Sequence, residues 1–291
     1  MSAAAIEMIE PVDREADSSP ARPDTTETLH SFGDGLVGTI TRPLGRTPRR
    51  TALVLLNAGL AHRMGPFRLY VQMARLLAAQ GYVVLRFDQS GLGDSMLSSR
   101  ASESRKRDEV AAALDLVARE TGVTRFVLSG LCSGADDAFN LAPLEPRVAG
   151  LLLMDGVGYR TRGHRIRHYL PRLLNPLRVL RYLRRRLRSA QAQELAVGND
   201  DLRDFPSRAE ATRRLASLDE RGVSTLLLYT GGVANYHNHR RQARECFGKV
   251  MRSPRIATEY WPECDHTFYV REHRAKLFTR LVEWMCTRFP D

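Results

Sequence analysis

At 291 residues the chain is long enough for one large α/β domain with a full-sized core, and 43% apolar with 26% charged residues excludes a chain disordered throughout. The 44 basic against 33 acidic residues leave a net charge of +11, which points to acidic or anionic partners. No apolar run approaches the about 18 residues of a membrane-spanning helix. The N-terminus lacks the basic and apolar regions of a secretory signal, and Cys132, Cys246, Cys264 and Cys286, without CxxC spacing, are expected as reduced thiols of a cytoplasmic protein.

Residues 1–25 are acidic, Ser/Pro-rich and poor in large apolar side chains, and are expected to form a disordered tail. Leu29 to Arg42 reads as a hairpin turning at Asp34-Gly35. Thr51 to Asn57 is a buried strand, followed by a loop to Pro66. An amphipathic helix runs from Phe67 to Gln80 and is closed by Gly81. Tyr82 to Asp88 is the next strand, with a Gly-rich loop to Ser95, and Glu103 to Thr121 is a helix. Arg125 to Ser129, Val148 to Asp155, Val223 to Thr230 and Ile256 to Trp261 are further apolar strands. Helices are expected over residues 207–221, 239–251 and 270–289. Ser207 and Glu210 have capping-box spacing for the first of these. Apolar strands alternating with helices predict a mostly parallel sheet covered on both faces. Residues 156–205 break that rhythm and are read as a helical insertion between two parts of one core, 26–155 and 206–291.

The stretch Gly130-Leu131-Cys132-Ser133-Gly134 joins the strand at Arg125 to a helix. A nucleophile on such a turn projects above the sheet, and strand and helix approach so closely that only small residues fit two positions to either side. Gly130 and Gly134 meet that requirement around Cys132, not around Ser133, whose corresponding neighbours are Leu131 and Ala135. Cys132 is therefore the expected nucleophile. His266, in an Asp-His-x-Phe turn between the last strand and the last helix, is the expected base. Its orienting acid is less obvious, because Val223 to Arg244 contains no Asp or Glu. Asp155, at the C-terminal edge of a strand, is favoured, with Asn235 as the alternative orienter. The oxyanion donors are expected to be the backbone N–H groups of Ser133 and of Leu60, with Ala58 as fallback. A thiol paired with imidazole can exist as thiolate and imidazolium, so it depends less on a carboxylate than a serine would.

Asn57-Ala58-Gly59-Leu60-Ala61-His62-Arg63-Met64-Gly65-Pro66, then Leu85 to Ser95, then Gly130 to Asp136, resemble the α/β-hydrolase superfamily, in a branch with an N-A-G-x-x-H-R-x-G-P signature. The resemblance spans about residues 30 to 289. It implies the α/β-hydrolase fold, with a cap at residues 156–205 and acyl chemistry. The expected activity is that of a thioesterase or acyltransferase working through an acyl-enzyme on Cys132, on a thioester such as a carrier-protein-bound acyl group. A carboxylesterase acting on a small ester is the alternative. A catalytically silent binding protein of the same fold is a reading from a different class.

From Gly156 to Ala190 there are eleven arginines and no acidic residue, with leucines interleaved at helical spacing. Such a basic amphipathic segment suits an acidic carrier protein or an anionic surface. Nucleic acid is not expected, because no aromatic stacking pattern accompanies the arginines. No cofactor is expected, and no metal: no Glu completes a His-Glu-x-x-His motif at His164 and His168, and His237 with His239 lacks a partner cluster.

Overall fold

The computed structural model describes residues 25–99, 102–173, 203 and 205–290. The acidic tail expected over residues 1–25 lies outside these apart from Thr25, which opens the first strand. Within the arginine-rich segment, residues 174–200 also lie outside them.

Eight strands form one sheet: β1 (Thr25–Phe32), β2 (Leu36–Pro43), β3 (Thr51–Leu56), β4 (Val83–Asp88), β5 (Arg125–Leu131), β6 (Val148–Met154), β7 (Ser224–Thr230) and β8 (Ile256–Trp261). Their order is β1-β2-β4-β3-β5-β6-β7-β8. The hairpin pairs antiparallel with itself and with β4, and every pairing from β4 to β8 is parallel.

Side chains alternate strictly between the two faces. Ala52, Val54 and Leu56 of β3 enter one core and Leu53 and Leu55 the other. Helices α1 (Leu69–Ala79) and α7 (Arg271–Arg288) cover the second face; α2 (Ser102–Thr121), α3 (Ser133–Leu141), α5 (Arg208–Glu220) and α6 (Gln242–Phe247) cover the first. The uniformly apolar strands are thus explained by burial on both sides.

The helix expected over residues 239–251 is instead the short α6 followed by a 3-10 turn over Gly248–Arg252. Gly248 has φ 67, a left-handed conformation that ends a helix. In the insertion, Arg162–Leu173 form α4. It packs on α6 and the loop after β7: Arg167 pairs with Glu245 at 2.9 Å, and His164 contacts the Ala234 carbonyl at 3.1 Å.

Because β3 to β8 run parallel, their C-terminal ends share one edge of the sheet. That edge, where the chain crosses from β4 on one side of β3 to β5 on the other, is where such sheets bind ligands.

Candidate active site

Cys132 links β5 to α3 with φ 59 and ψ −122, a backbone conformation that costs a non-glycine residue about 1–3 kcal/mol. Close packing imposes it. A Cβ on Gly130 would lie 2.3 Å from the Gly134 carbonyl carbon, and one on Gly134 would lie 2.4 Å from the Asn57 carbonyl oxygen. The chain can therefore pass from strand to helix only with glycines there. Ser133 is the first residue of α3, and its hydroxyl accepts the Gly59 N–H at 2.8 Å. The serine thus ties the loop after β3 to the elbow.

That loop is braced from below. Asn57, almost fully buried, donates to the Ala61 carbonyl at 2.8 Å and to Asp88 at 3.1 Å, and accepts the Gln89 N–H at 2.7 Å. Fully buried Asp88 also accepts the backbone and guanidinium of Arg63, each at 2.5 Å. Gly93, at φ 49, leaves no room for a side chain, because its Cβ would meet Asp88 at 2.2 Å. The Asn57, His62, Arg63 and Asp88 of the signature are therefore loop-shaping residues. His62, Asp88 and Asp94 bring ligand atoms within 4.8 Å of one another, but the Arg63 guanidinium lies among them, 2.7 Å from Asp94. A cation thus already fills that place.

His266 follows β8, and its Nδ1 stands 2.7 Å from Asp155 Oδ2. Asp155 closes β6 and is wholly buried, with φ 51. The Thr230 N–H and hydroxyl donate to its two oxygens, each at 2.6 Å. With Thr230 and His266 on its two oxygens, the carboxylate is held in one orientation and fixes the imidazole, whose other face bonds Cys132.

Asn235 does not share in this. It is exposed, and its carbonyl accepts Arg160 at 2.9 Å. The position after β7 is occupied by Gly231-Gly232, packed so tightly that a Cβ on Gly232 would lie 2.6 Å from the His266 backbone nitrogen. No carboxylate-bearing side chain fits there, and the carboxylate beside His266 is that of Asp155, at the end of the neighbouring strand.

The electrostatics follow from these contacts. Burial raises the Cys132 thiol, but the His266 hydrogen bond and the positive charges of Arg203 and His266 bring it below the ordinary thiol range. Burial lowers His266, yet the bonds to Asp155 and Cys132 outweigh it and raise the imidazole to about 9. Both shifts favour a thiolate–imidazolium pair at neutral pH. The other buried thiols move the opposite way: burial raises Cys246, and raises Cys264 to about 11.

Arg203 escaped the sequence reading. It donates to Asp136 at 2.7 and 3.0 Å, to the Asp155 carbonyl at 2.9 Å and to the Tyr236 hydroxyl at 3.0 Å. Tyr236 donates to the same Asp155 carbonyl at 2.7 Å. The available signal was Asp136, an acid in the first turn of a helix that must pack on the sheet; a buried carboxylate requires a cation.

Beside the elbow, a cleft of about 370 Å³ is lined by Gly59, Leu60, Ser133, Gln89, Lys106 and Asp137, among others. Of the two expected oxyanion donors, Ser133 begins α3 behind the thiol and Leu60 lies on this exposed rim. Among the described residues, no helix is long and apolar enough to cross a membrane.

The chain has the α/β-hydrolase fold. An esterase from Pyrococcus furiosus superposes with a TM-score of 0.58 at 12% identity, over 98% of this chain and 100% of that one. A dienelactone hydrolase from Anabaena variabilis gives 0.53 at 14% identity, covering 91% of this chain and 98% of its own. The thioesterase domain of the curacin biosynthetic pathway gives 0.53 at 17% identity, covering 89% and 99%. No family model matches the sequence, and no curated protein matches it significantly.

Proposed function

We propose that the chain is an acyl-transfer enzyme, a thioesterase or acyltransferase, that forms an acyl-enzyme on Cys132. The observation that carries this reading is the strained Cys132 beside a His266 held at 2.7 Å by buried Asp155. The Cys132 thiolate attacks the thioester carbonyl carbon. The oxygen, now anionic, takes the N–H groups of Ser133 and Leu60. The carbon–sulfur bond to the carrier breaks, and the departing thiolate takes the proton from His266 Nε2, which leaves the imidazole neutral. His266 then removes a proton from water or from an acceptor hydroxyl or thiol, which attacks the acyl-enzyme and releases Cys132. Asp155, at His266 Nδ1, stabilises the imidazolium.

A thiol nucleophile exchanges acyl groups readily with a thiol leaving group, because the two are of similar basicity. An oxygen ester demands more of the site, since its alkoxide must be protonated as it leaves. Small esters are the second class, favoured by the esterases among the structural neighbours.

The test is intact-protein mass after incubation with a panel of acyl thioesters and esters, for the wild type and Cys132→Ala. The expected result is an acyl adduct on the wild type that Cys132→Ala lacks. Substrate turnover that survives in Cys132→Ala sinks the proposal. No adduct and no turnover with either class would favour a non-catalytic binding protein.

A further inference from the structure

Away from the catalytic edge, the segment from Arg240 to Arg255 carries Arg240, Arg241, Arg244, Lys249, Arg252 and Arg255 against one acid, Glu245. Glu245 is already engaged, by Arg167 at 2.9 Å and by the Thr161 hydroxyl. The nearby acids are engaged as well: Asp219 lies 3.6 Å from Arg255, and Glu259 pairs with Arg280.

A cleft of about 380 Å³ opens where the turn before α6, the helix itself, the 3-10 turn and β8 meet. Arg240, Arg241 and Arg244 line it on one side, and Met251, Ile256 and Thr258 on the other. Among the described residues no carboxylate pairs with any of the three arginines.

We propose that this cleft binds a diphosphate group, either free as the inorganic ion or carried by a small ligand. Three arginines without carboxylate partners line one cleft, and a guanidinium fork matches phosphate oxygens in pairs. The site is separate from the thiol: Thr258 lies three residues before the C-terminal end of β8, about 10 Å down the strand, whereas His266 follows that end. The inference therefore goes beyond the acyl-transfer reading and does not depend on it.

The experiment is calorimetric titration of the full chain with ADP and, separately, with inorganic pyrophosphate, at low and at moderate salt. Saturable single-site binding is expected, with a Kd of about 1 mM or tighter, weakening as salt rises. Arg240→Ala with Arg244→Ala should weaken both probes by about tenfold or more, since each removes a charge-assisted contact. Arg213→Ala, on the exposed face of α5, should change neither. ADP binding tighter than pyrophosphate assigns a nucleotide-like ligand, and equal affinities assign the inorganic ion; both support the site. Absence of saturable heat with both probes, or binding untouched by the double substitution in protein of unchanged thermal stability, overturns it.

Discussion

Cys132 and Asp155 are both non-glycine residues in left-handed backbone, at φ 59 and φ 51, yet different forces hold them there. Packing holds Cys132, because Gly130 and Gly134 let β5 and α3 approach to distances that no Cβ would permit. Hydrogen bonds hold Asp155. Its N–H donates to the Leu228 carbonyl at 2.8 Å, its carbonyl accepts Tyr236 and Arg203, and its carboxylate accepts Thr230 twice and His266. A geometry enforced by packing leaves a local spacing in the sequence. One enforced by bonds from residues 48 to 111 positions away leaves almost none.

The comparison predicts different failures. Gly134→Ala should damage the fold itself, because the new methyl meets the backbone carbonyls of Asn57 and Leu56, neither of which can rotate away. A loss of about 3 kcal/mol is expected, read as a lowered urea midpoint with an unchanged slope. Wild-type stability in this variant would mean that the elbow is not set by packing. Asp155→Asn should leave the fold largely standing and disable the site. The amide cannot stabilise the imidazolium and favours the wrong tautomer, so kcat on oxygen esters should fall by about 10²–10⁴-fold. The loss on thioesters should be smaller, since their leaving group needs less protonation. Equal losses on both substrate classes would show that Asp155 acts on formation of the thiolate rather than on proton delivery.

The same contrast explains what was legible in the sequence. Both-sided burial wrote the parallel strands as apolar runs, and the turn glycines wrote the elbow. The choice between Asp155 and Asn235 was left open because the chain offers no acid from Val223 to Arg244. The physical reason is that Gly232 abuts His266 and excludes one. Asn57, Arg63 and Asp88 were visible as a motif, but their work, shaping the loop behind Gly59 and Leu60, depends on contacts between two loops about 30 residues apart. The helix expected over residues 239–251 was overread because its periodicity continues through Gly248, whose φ of 67 ends it. Arg203 was missed because it stands near the end of an arginine-rich insertion where one more arginine carries no information.

Arg203 and Asp136 provide the most discriminating test. Both side chains are nearly inaccessible, at 7% and 3% exposure, so removing either member strands the other and should cost about 3–5 kcal/mol. Stability alone therefore cannot separate a structural role from a role in the site. The Cys132 thiol can. A cation nearby favours the thiolate, so Arg203→Met should raise the thiol pKa and move the midpoint of the pH profile of iodoacetamide alkylation upward. Asp136→Asn breaks the same ion pair but keeps the cation, so its midpoint should stay or fall, and Arg203→Lys should restore part of the wild-type value. In the wild type, the thiolate–imidazolium window should extend upward to about pH 9, where His266 loses its proton, and ester turnover should decline there. If Arg203→Met and Asp136→Asn shift the alkylation midpoint alike, Arg203 only braces the backbone of Asp155. Opposite shifts would make it the charge that joins the insertion to the nucleophile.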